Sequence, residues 1–232
     1  MLWKRLSILF LALIASLIVA TEFLLPQVAQ NAVAQGMAEI TGTGEVQATV
    51  SNRPAIGMLA GSFDHIKVES TNAKIDKIVF SSLKADLRKI QLDRQQLYLN
   101  RSVKIEQIGE VNVEAVLTQD EVARYLNQNV KGVKNTTVTL DKGKMQAQSS
   151  FVLGGIASVS IGLEGRVLND GQRIKFVTDK LLLNNSPVGN VGGIGLAEIS
   201  LLDLKKLPFG VTVRDIILEQ GKLTLYADNK SR

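Results

Sequence analysis

The 232-residue sequence has no cysteine at all. Disulfides, thiol nucleophiles and metal sites built on cysteine are therefore excluded. His65 is the only histidine, and neither a GxSxG nor an HExxH motif occurs. The acidic residues are scattered singly, without the spacing of a calcium loop or of a paired catalytic site. We therefore predict that the protein is not an enzyme, that it uses no cofactor or metal, and that His65 is an edge or solvent-facing strand residue.

Aromatic residues are scarce as well, at 5% of the chain with a single tryptophan. A surface that stacks nucleic-acid bases is therefore not expected. The formal net charge of +5 does not favour nucleic acid either. Lys4 and Arg5 precede an uncharged segment, which leaves 25 basic residues against 22 acidic ones in the rest of the chain. Because those charges are spread along strands of alternating apolar and polar residues and form no basic cluster, we predict no nucleic-acid partner.

The N-terminus carries a long hydrophobic run. MLWKR is basic, and the next fifteen residues, LSILFLALIASLIVA (6–20), have no charge. This order is typical of a secretory signal peptide or an uncleaved signal anchor, and the positive-inside rule places the chain after Ala20 outside the cytoplasm. The run is shorter than the roughly 20 residues of a spanning helix, and Ile18-Val19-Ala20 is a poor cleavage site, so both alternatives stay open. We expect a signal segment over 1–25 and a single domain over 26–232. That domain would lie in the cell envelope on the outer side of the cytoplasmic membrane, either membrane-anchored (by a transmembrane helix) or secreted or periplasmic.

Beyond this segment most of the chain alternates apolar and polar residues, which predicts strands. Glycine-containing turns at 141–144, 169–172 and 219–222 indicate antiparallel hairpins. Helices are predicted over 26–40, with Pro26 in the first turn, over 118–130, where Thr118 and Glu121 form a capping box, and over 196–206. Leu97 and Leu99 are assigned to a strand face. The fold class is α+β, with a long, strongly curved antiparallel β-sheet packed on helices.

The stretch FVLGGIASVSIGL, residues 151–163, has an apolar residue or glycine at every odd position. Period two predicts one strand with one buried face, about 40 Å long at about 3.3 Å per residue. Its glycines favour bending. Two interpretations stay open: a solid core whose glycines turn a sheet corner, or an elongated apolar slot between a curved sheet and a helix.

The order of these features resembles the LmeA-like phospholipid-binding proteins of bacterial envelopes, which are similar to the wider tubular lipid-binding (TULIP-like) fold. The resemblance covers nearly the whole chain. It rests on the N-terminal hydrophobic segment and on FLLP (23–26), GSFDHIKVES (61–70), KIDKIVFSSLKADLRKIQLD (74–93), VLTQDEVARYLNQN (116–129) and LPFGVTVRDIILEQGKLTLYA (207–227). It implies a lipid-binding or lipid-transfer protein of the cell envelope that holds phospholipid acyl chains in an apolar groove between helix and curved sheet.

The candidates for this groove are apolar residues of the predicted strand faces and of the mid-chain helix. They are Phe63, Ile66, Val68, Phe80, Leu83, Leu87, Leu126, Phe151, Leu153, Ala157, Val159, Ile161, Leu163 and Phe209. The expected partner is a phospholipid or another membrane lipid, with the membrane itself; no protein partner is identified.

Two other functions are weighed against lipid binding. A structural or interaction module of the envelope would hold no ligand and would pair a sheet edge with a partner, and an exposed edge strand within 207–227 would favour it. A hydrolase of envelope polymers would need acidic residues that converge on His65 or on one another.

Overall fold

A computed structural model describes residues 2–43, 45–99, 104–129, 135–153, 157–170, 173–188, 198–203 and 210–230. The chain is α+β with antiparallel sheets, as predicted. The helices are α1 (Leu2–Thr41), a 3₁₀ helix (Ala55–Ala60), α2 (Arg94–Leu99) and α3 (Gln119–Asn129). The strands are β1 (Val46–Ser51), β2 (Ser62–Ile75), β3 (Ile78–Leu92), β4 (Ile105–Thr118), β5 (Thr136–Asp141), β6 (Lys144–Leu153), β7 (Ala157–Asn169), β8 (Arg173–Leu183), β9 (Ser186–Pro187), β10 (Glu198–Asp203), β11 (Thr212–Glu219) and β12 (Lys222–Asp228).

The strands form two sheets. The first has the order β1-β2-β3-β4-β12-β11, and the second has the order β10-β8-β7-β6-β5 with β9 paired to β8. Register shifts interrupt the pairing of β7 with β8, of β10 with β8 and of β11 with β12. Because a bulge bends its strand and increases the local twist, these irregularities fit the predicted curved sheet.

The chain divides into two compact units. The first unit is Met1–Ile40, Gly44–Glu69 and Ala85–Val111, and the second is Thr41–Thr43, Ser70–Lys84 and Asn112–Arg232. Each unit has its own buried apolar side chains. Those of the first include Val50, Ala55, Met58, Val68, Leu87, Ile90 and Leu92. Those of the second include Phe80, Leu126, Leu140, Met145, Ile174, Phe176 and Leu223.

Helix α1 runs through both the hydrophobic segment and the helix predicted from residue 26. Pro26 lies inside α1 and not in a first turn, so that prediction is wrong. Proline removes one backbone hydrogen bond, but the good helix formers on both sides, mainly Leu and Ala before it and Ala and Gln after it, continue the helix. The helix ends at Thr41, and Gly42 follows with a φ of 63°, which suits glycine after a helix. Among the residues that the structure describes, no helix is both long enough and apolar enough to cross a membrane.

The stretch FVLGGIASVSIGL is a hairpin and not one long strand, which corrects the prediction. Strand β6 ends at Leu153 and β7 begins at Ala157, and these two residues face each other across the antiparallel pair. Residues 154–156, which include both adjacent glycines, join the strands and lie outside the described residues. The Gly-Gly pair therefore lies between two strands and not within one.

The predicted helix over 196–206 is also wrong where the structure describes it. Glu198–Asp203 is β10, an antiparallel neighbour of β8. Glu198 and Ser200 are exposed and Leu201 is buried, which is the alternation of a strand. Backbone pairing with β8 overrides the helical spacing of the leucines, since propensity is a weak prior against tertiary contacts.

The assignment of Leu97 and Leu99 to a strand face is a third error, because residues 94–99 form the short helix α2. The carboxylate of Asp93 begins that helix. Its Oδ1 accepts the backbone N–H groups of Gln95 and Gln96 at 3.0 and 3.2 Å. An aspartate in this position is a favoured helix N-cap, and this signal was not used.

Helix α3 and two of the three hairpin turns confirm the prediction. Thr118 Oγ1 accepts the N–H of Glu121 at 3.3 Å, which is one half of the predicted capping box, while the Glu121 carboxylate bonds to Arg124. The turns at Gly143 and Gly221, with φ values of 70° and 77°, join β5 to β6 and β11 to β12. The third turn, at 169–172, connects β7 to β8, and its residues 171–172 lie outside the described part.

Candidate functional site

The second sheet has one apolar face and one charged face. In register, Val138, Ala147, Leu163 and Leu181 form a row across β5, β6, β7 and β8. The neighbouring row on one side is Leu140, Met145, Gly165 and Thr178, and on the other side it is Thr136, Ser149, Ile161 and Leu183.

The opposite face of the same strands carries ion pairs. Glu164 Oε1 lies 3.2 Å from Lys180 Nζ, and Asp179 Oδ2 lies 2.9 Å from Arg166 Nε. The second sheet is therefore amphipathic, with its two faces set by strand alternation.

Burial differs between the two ends of the apolar face along β7 and β8. Met145 and Phe176 are completely buried at one end. Leu163 and Leu181 are half-buried, while Ile161 and Leu183 at the other end are 38% and 45% exposed. We call the residues Val159, Ile161, Leu163, Leu181 and Leu183 the open end of this face.

The backbone around the open end is held by a tight turn. Asn184 and Asn185 have φ values of 49° and 64°, the pair of positive angles that a two-residue type I′ hairpin requires between β8 and β9. Asn184 Oδ1 accepts the N–H of Ser160 at 3.0 Å, and the N–H of Asn184 donates to the carbonyl of Ser160 at 2.8 Å. Leu183 and Ile161 are therefore fixed as neighbours by main-chain bonds although their side chains are exposed.

A glycine keeps β7 and β8 close at the middle of the face. The register shifts between Glu164 and Gly165. A Cβ atom on Gly165 would lie 2.0 Å from the carbonyl oxygen of Val177, so no other residue fits this backbone. The shift keeps Thr178 and Leu181 on the apolar face although an odd number of positions separates them in sequence.

The buried end of the face is a packed core with a small cavity between the two sheets and α3. The cavity has a volume of about 20 Å³, room for one or two waters and far below the roughly 300 Å³ of a small ligand pocket. It is lined by Ile78, Leu117, Glu121, Val122, Tyr125, Ile174, Leu201, Leu223 and Leu225. This cavity cannot hold an acyl chain. At this end the solid-core interpretation describes the molecule.

The polar groups of that cavity have partners. Glu121 Oε1 lies 2.6 Å from Arg124 Nη1, and the Tyr125 hydroxyl lies 3.5 Å from the carbonyl oxygen of Ser200. Neither of the polar side chains that line the cavity therefore needs a ligand as a hydrogen-bond partner.

The predicted groove residues fall in several places. Val159, Ile161 and Leu163 share the open end. Phe151 lies opposite Val159, and Leu153 opposite Ala157, in the β6–β7 pair; the side chains of Phe151, Leu153 and Ala157 lie outside the described part. Phe80, Leu83 and Leu126 are buried in the second unit; Phe63, Ile66, Val68 and Leu87 belong to the first unit. Phe209 lies outside the described residues.

The sequence interpretation missed Leu181 and Leu183. They stand in the run Leu181-Leu182-Leu183, where three consecutive leucines hide the alternation. The available signal was the Asn-Asn pair that follows, because two residues that tolerate positive φ mark a hairpin turn and hence the end of a strand.

His65 takes part in a pair on the surface. Its Nε2 lies 2.9 Å from Asp86 Oδ2, and Asp86 Oδ1 accepts from Arg88 Nε at 3.1 Å. Partial burial alone would raise the pKa of Asp86, but the hydrogen bonds from His65 and Arg88 outweigh it and lower that pKa. Across the described ranges no three His, Asp or Glu side chains are grouped so that they could hold a metal ion.

Strand β11 is at one edge of the first sheet, the position that would favour the interaction-module alternative. That edge carries a register shift between Val213 and Asp215, and it presents the exposed charged residues Arg214 and Asp215. Bulges and charges are the features by which edge strands avoid further pairing. The edge therefore gives this alternative little support.

Comparison with known proteins adds one finding. The family model described as LmeA-like phospholipid-binding matches residues 20–228, which is nearly the whole chain after the N-terminal hydrophobic run. No solved structure matches the chain.

Proposed function

Because the chain belongs to the LmeA-like phospholipid-binding family, we propose that it binds phospholipid acyl chains on the open end of the second sheet. The single observation that supports this place is the change in burial along one continuous apolar face. Phe176 and Met145 are fully buried, whereas Ile161 and Leu183 on the same face are exposed. An acyl chain on the open end would continue the core of the protein.

The driving force is the removal of apolar surface from water. Each buried methylene contributes about 0.8 kcal/mol, so even a partly covered acyl chain binds appreciably. From Val159 to Leu163 the strand rises about 13 Å, close to the roughly 15 Å of hydrocarbon in one leaflet. The open end thus has the length needed for most of one acyl chain.

The proposed role is to hold or transfer lipid in the cell envelope, without catalysis. The uncharged segment 6–20 after Lys4 and Arg5 supports a place at the outer side of the cytoplasmic membrane, with the domain anchored or released. The surface pairing of His65 with Asp86 supports a structural role for the single histidine.

The test compares two double variants in a binding assay with a fluorescent phospholipid. Ile161→Thr/Leu183→Thr makes the open end more polar and keeps strand propensity. Leu168→Thr/Ile217→Thr is the matched control, because these residues are 44% and 41% exposed and lie outside the open end. In β7, Leu168 is an odd number of residues from Ile161 and so lies on the charged face.

We expect the Kd of the first variant to rise at least about ten-fold, which corresponds to about 1.4 kcal/mol, and that of the control to stay within about two-fold. Equal affinities for both variants would refute binding at the open end. Native mass spectrometry of the purified wild type tests lipid binding itself. A co-purified phospholipid supports binding, and a ligand-free mass that persists after incubation with phospholipid would favour the interaction-module alternative.

A further inference from the structure

The first unit exposes large apolar side chains on three of its helical segments. Ile56 and Leu59 are in the 3₁₀ helix, Leu99 ends α2, and Phe23 is in α1; these four side chains are between 50% and 77% exposed. We call Phe23, Ile56, Leu59 and Leu99 the apolar rim. Water-exposed apolar groups of this size in one region mark an interaction surface more often than chance exposure.

Hydrogen bonds hold the 3₁₀ helix against α1 and the end of β3. The N–H of Ala55 donates to Glu22 Oε1 at 2.9 Å, next to Phe23 in sequence. At the other end of the 3₁₀ helix, Gln91 Nε2 donates to the carbonyl of Ala60 at 3.1 Å, and the N–H of Leu92 donates to the carbonyl of Gly61 at 2.8 Å. The exposed Ile56 and Leu59 are therefore on a well-anchored element.

Helix α2 begins directly after β3, whose end is bonded to the 3₁₀ helix. Asp93 lies between β3 and α2 and caps α2 with its side chain. The backbone N–H of Asp93 donates to the carbonyl of Lys104 at 2.9 Å. Hydrogen bonds from both backbone and side chains thus join the segments that carry the rim, although these segments are distant in sequence.

We propose that the apolar rim docks on the surface of a phospholipid bilayer. Two features favour a bilayer over a protein partner. The uncharged run 6–20 belongs to α1, the helix that carries Phe23, and it ends within one turn of Glu22, where the 3₁₀ helix is attached, so along α1 the rim directly follows a run of residues without charge. The exposed basic residues Arg53, Arg94 and Lys104 flank the rim, and long basic side chains can reach lipid phosphates while apolar neighbours insert.

This docking surface is distinct from the open end of the second sheet. It would bring the protein to the bilayer from which a lipid is taken, whereas the open end would hold the lipid. The two proposals can fail independently, and the experiments below separate them.

The absence of cysteine allows a direct test on the full chain. Single cysteines at Leu59→Cys and Leu99→Cys accept an environment-sensitive fluorophore, and Leu168→Cys and Ile217→Cys serve as exposed controls in the second unit. The labelled proteins are incubated with phosphatidylcholine vesicles that contain phosphatidylglycerol, and quenching by aqueous iodide is measured.

We expect quenching at 59 and 99 to fall at least about five-fold on vesicle addition, and quenching at 168 and 217 to change less than about two-fold. Unchanged quenching at 59 and 99 on vesicle-bound protein would refute docking by the rim. A loss of quenching that depends on protein concentration and needs no vesicles would instead identify a second copy of the chain as the occupant and would also refute the proposal.

A second measurement uses the variant Ile56→Ser/Leu59→Ser/Leu99→Ser. Its extraction of fluorescent phospholipid from vesicles should slow about ten-fold or more, while its affinity for a short-chain phospholipid dispersed as monomers should stay within about two-fold. Wild-type extraction by this variant would refute the docking surface. If only the Ile161→Thr/Leu183→Thr variant loses affinity for monomeric phospholipid, that result concerns the open end and does not contradict docking by the apolar rim.

Discussion

Substitution of Gly165 by alanine tests whether the close approach of β7 and β8 holds the apolar face together. The added Cβ would lie 2.0 Å from the carbonyl oxygen of Val177, 2.8 Å from its carbonyl carbon and 2.9 Å from Cα of Thr178. All three atoms are backbone atoms of β8, so no side chain can rotate away. The methyl group can be accommodated only if β8 moves and ladder hydrogen bonds next to the bulge lengthen or break.

The loss of stability in Gly165→Ala depends on which atoms must move to make room for the methyl group. Overpacking against adaptable side chains costs about 1–3 kcal/mol, and a clash with backbone belongs above that range, so we expect Gly165→Ala to lower the free energy of unfolding by about 3–5 kcal/mol. Gly162→Ala is the matched control in the same strand. Its Cβ would meet Cβ and Cδ1 of the Leu182 side chain at 3.2 and 3.3 Å, contacts that a small shift relieves.

The control should change stability by no more than about 1 kcal/mol, and the reduced freedom of the unfolded chain offsets part of that cost. Urea unfolding followed by far-UV circular dichroism measures both variants. Because β7 and β8 carry the open end, Gly165→Ala should also weaken binding of fluorescent phospholipid at temperatures where the variant is still folded. A loss below about 1 kcal/mol for Gly165→Ala, or equal losses for the two glycines, would contradict the close approach of the strands.

Three further substitutions test features away from this contact. Thr118→Ala removes the oxygen that caps α3 and should lower stability by about 1 kcal/mol, read as a lower Tm; an unchanged Tm would mean that the cap contributes nothing. Asp86 has a lowered pKa in the folded state, so its contribution to stability is present above the ordinary aspartate pKa and is lost as the pH falls through the folded value. Urea unfolding between about pH 5 and pH 2.5 should therefore show a shallower loss of stability for Asp86→Asn than for the wild type, and parallel curves would contradict the shift. His65→Ala should leave the Kd for fluorescent phospholipid within about two-fold, since a surface substitution away from the site changes energies by about 0.5 kcal/mol at most, and a large loss would revive a catalytic or binding role.

The sequence was sufficient for the fold class, for α3 and for most strand faces, but not for where one strand ends and the next begins. The error at 151–163 has a geometric cause. Leu153 and Ala157 face each other in the antiparallel pair, and paired residues share a face of the sheet. Because three residues join them, the separation is even and the period of two continues across the turn. Alternation alone therefore cannot distinguish this hairpin from a single strand.

The other errors came from competition between local signals and pairing. Ile199 and Leu201 fit one face of a strand, and the same two residues with Leu202 also fit a helical stripe, so pairing with the neighbouring β8 decides the structure. In α2, the side chain of Asp93 decides against a strand. The choice between helix and strand in these segments depends on a pairing strand more than twenty residues away or on a single N-cap residue. The periodicity of apolar residues contains neither kind of information.

The candidate site was predictable only in part for the same reason. Val159, Ile161 and Leu163 follow from alternation, but their exposure depends on how far the other layer covers them. Leu183 becomes part of the site only through its pairing with Ile161. The predicted groove residues therefore included both buried core residues and residues of the open end, and the sequence pattern could not distinguish the two groups.

The position of β12 in the first sheet has a consequence for how the chain is made. Lys222–Asp228 pairs with residues 112–118 of β4 on one side and with β11 on the other. During synthesis, β4 has no neighbour on that side until more than a hundred further residues have been added. An unpaired edge with an apolar face is prone to join other chains. We therefore expect a chain that stops before Lys222 to aggregate, although the strands β5 to β8, each joined to the next in sequence, can already be formed.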